Sequence, residues 1–328
     1  MTTSALDVVG IGNAIVDVIA HADDNFLAAQ SMVKGGMTLI DEARAEAIYQ
    51  AMGPAVEISG GSAANTIAGI ASLGGKAGYI GKVRDDLLGK VFRHDITSAG
   101  VTFTTPAVTD GPSTARSMIL VTPDAQRTMN TYLGACVNLR PEDVDLALIE
   151  SAQVTYLEGY LFDPPQAQEA FRLAARTAHA AGRKVSLSLS DGFCVGRHRA
   201  AFLDLVEHHV DILFANESEI SALFETDDFD TAVTRVRGLC ELAALTRGPD
   251  GSVLVSRDHI VEVPAAKAAK IVDTTGAGDL YAAGVLHGLT TGRTLAECGR
   301  LGSLCAAEII SHYGPRPETS LKDYVRAA

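Results

Sequence analysis

Apolar, β-rich runs alternate with helical patterns along most of this chain. The alternation predicts an α/β fold in which a mainly parallel central sheet is flanked by helices. Three observations carry the prediction. Strand patterns at 6–12, 77–81, 154–158, 184–190, 210–214, 242–246 and 252–256 are interleaved with helical ones at 62–73, 85–98, 141–151, 165–181, 197–208, 216–224, 230–239, 278–290 and 295–311. Runs such as 210–214 are apolar without alternation, as strands covered on both faces are. The chain has 328 residues, 47% hydrophobic and 20% charged, enough to bury a large core.

Two segments break the rhythm. Residues 14–20 and 36–40 read as strands with little helix between them. Residues 114–121 and 127–132 read as a β-hairpin around a turn at Pro123 and Asp124. These segments fit a small β-rich lid over a cleft. The expected division is a large α/β domain of residues 1–15, 60–111 and 135–328, with a lid of 16–59 and 112–134.

Charge and cysteine usage exclude several classes. The balance of 27 basic against 40 acidic residues, −13 overall, lacks the basic footprint of a nucleic-acid binder. No apolar run reaches membrane-span length, and no Lys or Arg precedes Lys34, so a basic leader is missing. The expectation is a cytoplasmic protein with no nucleic-acid or membrane partner. Five cysteines, with no C-x-x-C pair, argue against a disulfide framework and a thiolate zinc site.

The most informative stretch is Asp273-Thr274-Thr275-Gly276-Ala277-Gly278-Asp279, running on into Leu280-Tyr281-Ala282-Ala283-Gly284. A Gly-rich loop opens a helix, and the first helical N–H groups lack intrahelical partners. That is a ready site for a phosphoryl group. Asp279 falls in the first turn, placed to take a proton from a hydroxyl aimed at that phosphoryl; the helix terminus is expected to favour its ionised form. A helix-capping aspartate would look the same in isolation. No Walker-type G-x-x-x-x-G-K-[ST] and no strand-borne G-x-G-x-x-G competes with this loop.

Together with Ser59-Gly60-Gly61-Ser62-Ala63-Ala64-Asn65-Thr66 and Ala71-Ser72-Leu73-Gly74, this stretch resembles the paired signatures of the PfkB, or ribokinase-like, family of carbohydrate and nucleoside kinases. Several segments are more similar to its adenosine kinases: Gly10-Ile11-Gly12-Asn13-Ala14-Ile15-Val16-Asp17, Leu187-Ser188-Leu189-Ser190-Asp191-Gly192-Phe193, 124–136, and the strand ending in Asn216-Glu217-Ser218-Glu219.

The resemblance implies a ribokinase-like fold and an ATP-dependent phosphotransferase acting on a nucleoside or sugar hydroxyl, with Mg²⁺ as cofactor. It implies catalytic roles for Asp279, for the Gly276, Ala277 and Gly278 loop, and for Arg127, a phosphate-contacting arginine brought in by lid closure. Asn13, Asp17, Gly61, Ser62 and Asn65 would meet the ribose hydroxyls, with Met129, Leu161 and Phe193 around the base. Asn216, Thr246, Arg247, Gly248, Thr274, Gly276 and Gly278 would meet ATP. Glu219 and Asn216 would act on Mg²⁺ through water. Adenosine is the first choice of acceptor, with inosine, guanosine or a free sugar as alternatives and a non-catalytic nucleoside sensor as the rival from another class. Whether a monovalent cation assists near Asp273, and whether the protein is a monomer or a homodimer, the sequence leaves open. The residues themselves leave bland readings too. Asn216 and Glu219 have capping-box spacing, and Asn13 and Ser62 suit turns and caps. Asp17 is harder to explain that way, because it sits mid-strand among apolar neighbours and needs partners.

Overall fold

The computed structural model describes residues 5–124 and 126–328. Among the described residues, fourteen strands form two sheets: β1 (Leu6–Ile11), β2 (Ile15–His21), β3 (Met37–Leu39), β4 (Ala55–Gly60), β5 (Ala77–Ile80), β6 (Thr102–Phe103), β7 (Ala115–Val121), β8 (Arg127–Tyr132), β9 (Ala152–Glu158), β10 (Lys184–Ser188), β11 (Ile212–Asn216), β12 (Leu242–Thr246), β13 (Ser252–Ser256) and β14 (Ile260–Val263).

The large sheet runs β14-β13-β12-β11-β10-β9-β1-β5-β6. Its pairings are parallel from β6 through β12, with an antiparallel edge of β13 and β14. Two cores cover its faces. On one side, the helices Ser62–Ser72, Ala277–Thr290 and Leu295–Ile309 pack with Tyr79, Phe92 and Tyr156. On the other, Phe162, Phe171 and Phe202 pack with the helices Pro165–Ala180 and Gly192–His209. The continuous apolar runs are explained by this double cover.

The small sheet runs β3-β8-β7-β2-β4. Its alternation sets which side chains share a face. Asp17 is opposite Ser117, Ser117 opposite Thr131, Ile119 opposite Met129, and Met129 opposite Met37.

The hairpin of β7 and β8 is present as the sequence predicts. The segment between the early strands differs: helix Asp24–Ala29 lies in it, and a second helix, Glu42–Ala51, follows β3, each started by an aspartate cap, Asp23 and Asp41. Asp24–Ala29 buries only Leu27 and Glu42–Ala51 only Ala45 and Ile48, so the periodicity missed them. The pattern read at 141–151 divides into a 3₁₀ turn, Pro141–Asp143, and a helix, Leu146–Ser151. Strands β4, β6 and β14 are edge strands, too short or too polar to register as strand patterns. No helix of the described residues is long and apolar enough to cross a membrane.

Candidate active site

Parallel sheets bind ligands beyond the carboxyl ends of their strands. Here those ends converge on one cavity of about 630 Å³, lined by Asn13 after β1, Glu158 of β9, Ser188 of β10, Asn216 of β11 and Thr246 of β12. The small sheet supplies the facing wall with Ile15, Asp17, Met37, Leu39, Ser117, Ile119, Met129 and Thr131. Each pair is two residues apart on its strand, so one face of the small sheet lines the cavity.

The two glycine-bearing segments, over 200 residues apart in sequence, meet at Asp279. The Ser62 hydroxyl donates to its Oδ1 at 2.6 Å, and the Asn65 amide donates to its Oδ2 at 2.9 Å. Gly276 caps the helix Ala277–Thr290 with φ 79°, a left-handed conformation that suits glycine. The Leu280 amide bonds the Gly276 carbonyl, and the Gly278 and Asp279 amides precede that ladder without a backbone partner among the described residues. Gly61 holds φ 92°, and a Cβ there would lie 2.2 Å from the Asn13 carbonyl oxygen. Only glycine allows that close approach.

The electrostatics of Asp279 differ from the expectation that the helix terminus keeps it readily ionised. Burial pushes its carboxyl above the ordinary range, against the bonds from Ser62 and Asn65 and the charge of Arg316. Desolvation outweighs these bonds and that charge. The shift makes Asp279 a better proton acceptor than a solvated aspartate.

Glu158 was not foreseen. Its carboxylate accepts from the Asn13 side-chain amide at 2.7 Å and from the Ala63 amide at 2.7 Å. Burial raises it to about 7. The only signal in the sequence is a lone acid closing an apolar strand. Glu158 and Asp279 each take the amide nitrogen of an asparagine, so Asn13 Oδ1 and Asn65 Oδ1 stay buried without a partner among the described residues. The Asp17 carboxylate is likewise buried, raised to about 6 chiefly by desolvation, against Arg127 and Arg316. Three acceptors therefore face one end of the cavity. A vicinal diol, with two hydroxyl donors, fits them.

Asn216 and Glu219 form a reciprocal capping box. The Asn216 side-chain amide donates to Glu219 Oε1 at 2.7 Å, and the Glu219 amide donates to Asn216 Oδ1 at 2.9 Å. Both residues line the cavity, and burial raises Glu219 to about 7. No group of three or more His, Cys, Asp or Glu placed to hold a metal occurs among the described residues.

Of the other sequence candidates, Met129, Phe193, Thr246, Gly276 and Gly278 line the cavity, with Phe193 82% exposed at its edge. Leu161 does not. It lies in the 3₁₀ turn Gly159–Phe162 and packs into the core, while the neighbouring Tyr160 lines the cavity instead. Arg127 is also not in the cavity wall. Its guanidinium is buried against Asp273, which also accepts from the Thr275 and Gly314 amides. Burial works against the Asp273 charge, but these donors hold it below its usual range. Arg247 pairs with Glu217 at 3.0 Å and lies over the Phe229 ring, and Gly248 follows it outside the cavity wall. Thr274 and Ala277 contribute backbone to the loop, the Ala277 amide bonding the Thr274 carbonyl, and their side chains do not line the cavity.

A half-buried carboxylate, a glycine-lined helix start and a row of hydroxyl acceptors around one cleft are what phosphoryl transfer to an alcohol calls for. Residues 36–321 match the family described as pfkB family carbohydrate kinase, and the chain belongs to it. It is similar to the adenosine kinase of Sinorhizobium meliloti, with 55% identity, a TM-score of 0.92, and 98% of this chain and 99% of that one covered. The probable sugar kinase of Rhizobium etli superposes with a TM-score of 0.93 at 51% identity over 99% of both chains. Adenosine kinase 2 of Arabidopsis thaliana is 25% identical over 334 residues, covering 93% of this chain and 94% of that protein. The protein is thus an adenosine kinase-like phosphotransferase acting on an alcohol group, and it uses ATP.

Proposed function

We propose that the acceptor is the 5′-hydroxyl of a purine nucleoside, adenosine first, with AMP and ADP as products. The carrying observation is the asymmetry of the cavity. One end presents the acceptors Asn13, Asp17 and Asn65 beside Asp279; the other, towards the β3 edge of the small sheet, is walled by Met37, Leu39, Ile119, Met129 and Leu133 with Phe193 at the rim. A ribose diol suits the first end and a planar base the second, whereas a free pentose would leave the apolar wall wet.

In the reaction, Asp279 takes the proton of the acceptor hydroxyl as its oxygen bonds the γ-phosphorus. The bond from that phosphorus to the β,γ-bridging oxygen breaks and ADP leaves. The Gly278 and Asp279 amides and the helix start stabilise the transferring group. Asn216 and Glu219 would hold Mg²⁺ through water, and the ion would neutralise phosphate charge. The small sheet, bearing the apolar wall, acts as a lid that excludes water from the transfer.

Coupled measurement of ADP release with adenosine, inosine, guanosine, ribose and fructose tests the assignment. The expected result is the highest kcat/KM for a purine nucleoside. Faster reaction of ribose or fructose than of every nucleoside would replace it with a sugar-kinase assignment.

A further inference from the structure

Arg316 lies outside both signatures and carries no periodic signal, yet its guanidinium is placed between them. The side chain is half-buried. Its Nε donates to the Ser59 carbonyl at 3.0 Å, its Nη2 to the Ser59 hydroxyl at 3.2 Å, and its Nη1 to the Ala64 carbonyl. These acceptors bracket the Gly61 turn that presents Ser62 and Asn65 to Asp279. The two residues before Arg316 touch the other segment. The Gly314 amide donates to Asp273 at 3.1 Å, and Pro315 lies where a Cβ on Gly276 would meet it at 3.2 Å. Three consecutive residues thus join the two segments whose meeting makes the site.

We propose that Arg316 is a positioning residue for phosphoryl transfer, holding the Ser59 and Ala64 carbonyls so that Ser62 and Asn65 fix the carboxylate of Asp279. A planar, forked donor suits three acceptors on one turn, and a point-charge ammonium does not. The charge matters as well as the shape. The ionisable groups coupled electrostatically to Asp279 are Asp17, Glu158, Glu219, Tyr156, Tyr160 and Arg316, and Arg316 is the cation among them. Burial lowers Arg316 to about 10, so it keeps its charge at neutral pH. Without it, buried acids crowd one cavity with less to keep them ionised.

The inference rests on Asp279 as the base, which Asp279→Asn tests separately. If D279N keeps wild-type turnover, the base assignment fails and the Arg316 proposal with it. If D279N is inactive while R316Q matches wild type, only the Arg316 proposal fails. The experiment compares R316Q and R316K with wild type, using whichever acceptor of the panel the wild-type enzyme phosphorylates, with folded fraction set by circular dichroism. In R316Q, kcat per folded molecule should fall ~10–100-fold with KM for the acceptor within a few-fold. Its ratio of activity at pH 8 to that at pH 6 should rise ~10-fold as the acid limb moves up. R316K should restore that ratio but not the full kcat. An R316Q with wild-type kcat and pH ratio, or an R316K indistinguishable from R316Q, overturns the proposal. Should R316Q fail to fold, R316K decides alone: lowered kcat at an unchanged pH ratio supports it, and wild-type kcat refutes it.

Discussion

The two ends of the cavity are built by different physics. At the phosphoryl end, Asp279 is held by Ser62 and Asn65, and Glu158 by Asn13, through short bonds between residues up to 217 apart in sequence; Asn13, Asn65 and Glu158 are buried, and Ser62 and Asp279 half-buried. At the other end, Met37 is 50% and Leu39 53% exposed, and Phe193 stands further into solvent. A network that is satisfied only as a whole fixes geometry, and an open apolar wall selects by area and shape. On the proposed function, chemistry is set at the first end and acceptor identity at the second. Substitutions at the two ends should separate kcat from KM.

The largest effect is expected from Asp279→Asn. Turnover should fall ~10²–10⁴-fold, while calorimetry shows nucleoside affinity within a few-fold of wild type. A D279N enzyme with wild-type kcat would reduce Asp279 to a helix cap and leave the comparison without its catalytic end.

The buried acids of the same end also make stability depend on pH. Asp17 is raised to about 6 and Glu158 to about 7 by burial, above ordinary carboxylate values. A group raised on folding stabilises fully below its unfolded value, and that contribution is lost as pH rises through the folded value. Stability should therefore fall between about pH 4 and pH 7, the interval over which activity rises as the acids ionise. Glu158→Gln should remove up to ~3 kcal/mol of that pH-dependent change, read from denaturant midpoints at pH 5 and pH 8. An unchanged slope would mean that Glu158 does not titrate in this interval.

Phe193→Ala probes the open end. KM for the nucleoside should rise ~5–10-fold with kcat and melting temperature unchanged, because the ring is exposed and only stacks on the base. A drop in kcat instead would place Phe193 in the lid closure and blur the separation of the two ends. The smallest change is expected for Glu219→Gln, a few-fold higher Mg²⁺ requirement with about 1 kcal/mol or less of stability lost. An unaltered Mg²⁺ titration would leave Glu219 with its capping role alone.

What the sequence disclosed follows the same division. The Asp279 loop and the Gly61 turn were legible because glycines with a fixed polar neighbour have few uses, and the large sheet because doubly covered strands are uniformly apolar. Asn13, Asp17 and Asn65 were named by their match to a family pattern, and the structure brings all three into the cavity lining. Glu158 and Arg316 were not, because each acts through contacts more than 90 residues distant and neither sits in a spaced motif. Leu161 was misread for the reverse reason. An apolar residue near the site is as suited to the core as to a pocket, and the tight turn at Gly159 decides which. Arg127 shows the same limit. Its place on the hairpin was clear, but not that Asp273 would bury its charge.

The central claim is tested most directly by identifying the product. With adenosine, ATP and Mg²⁺, the account predicts that ³¹P-coupled NMR shows AMP carrying the phosphate on the 5′-oxygen, one ADP for each AMP. Absence of any phosphorylated nucleoside, while ribose or fructose consumes ATP, would contradict it.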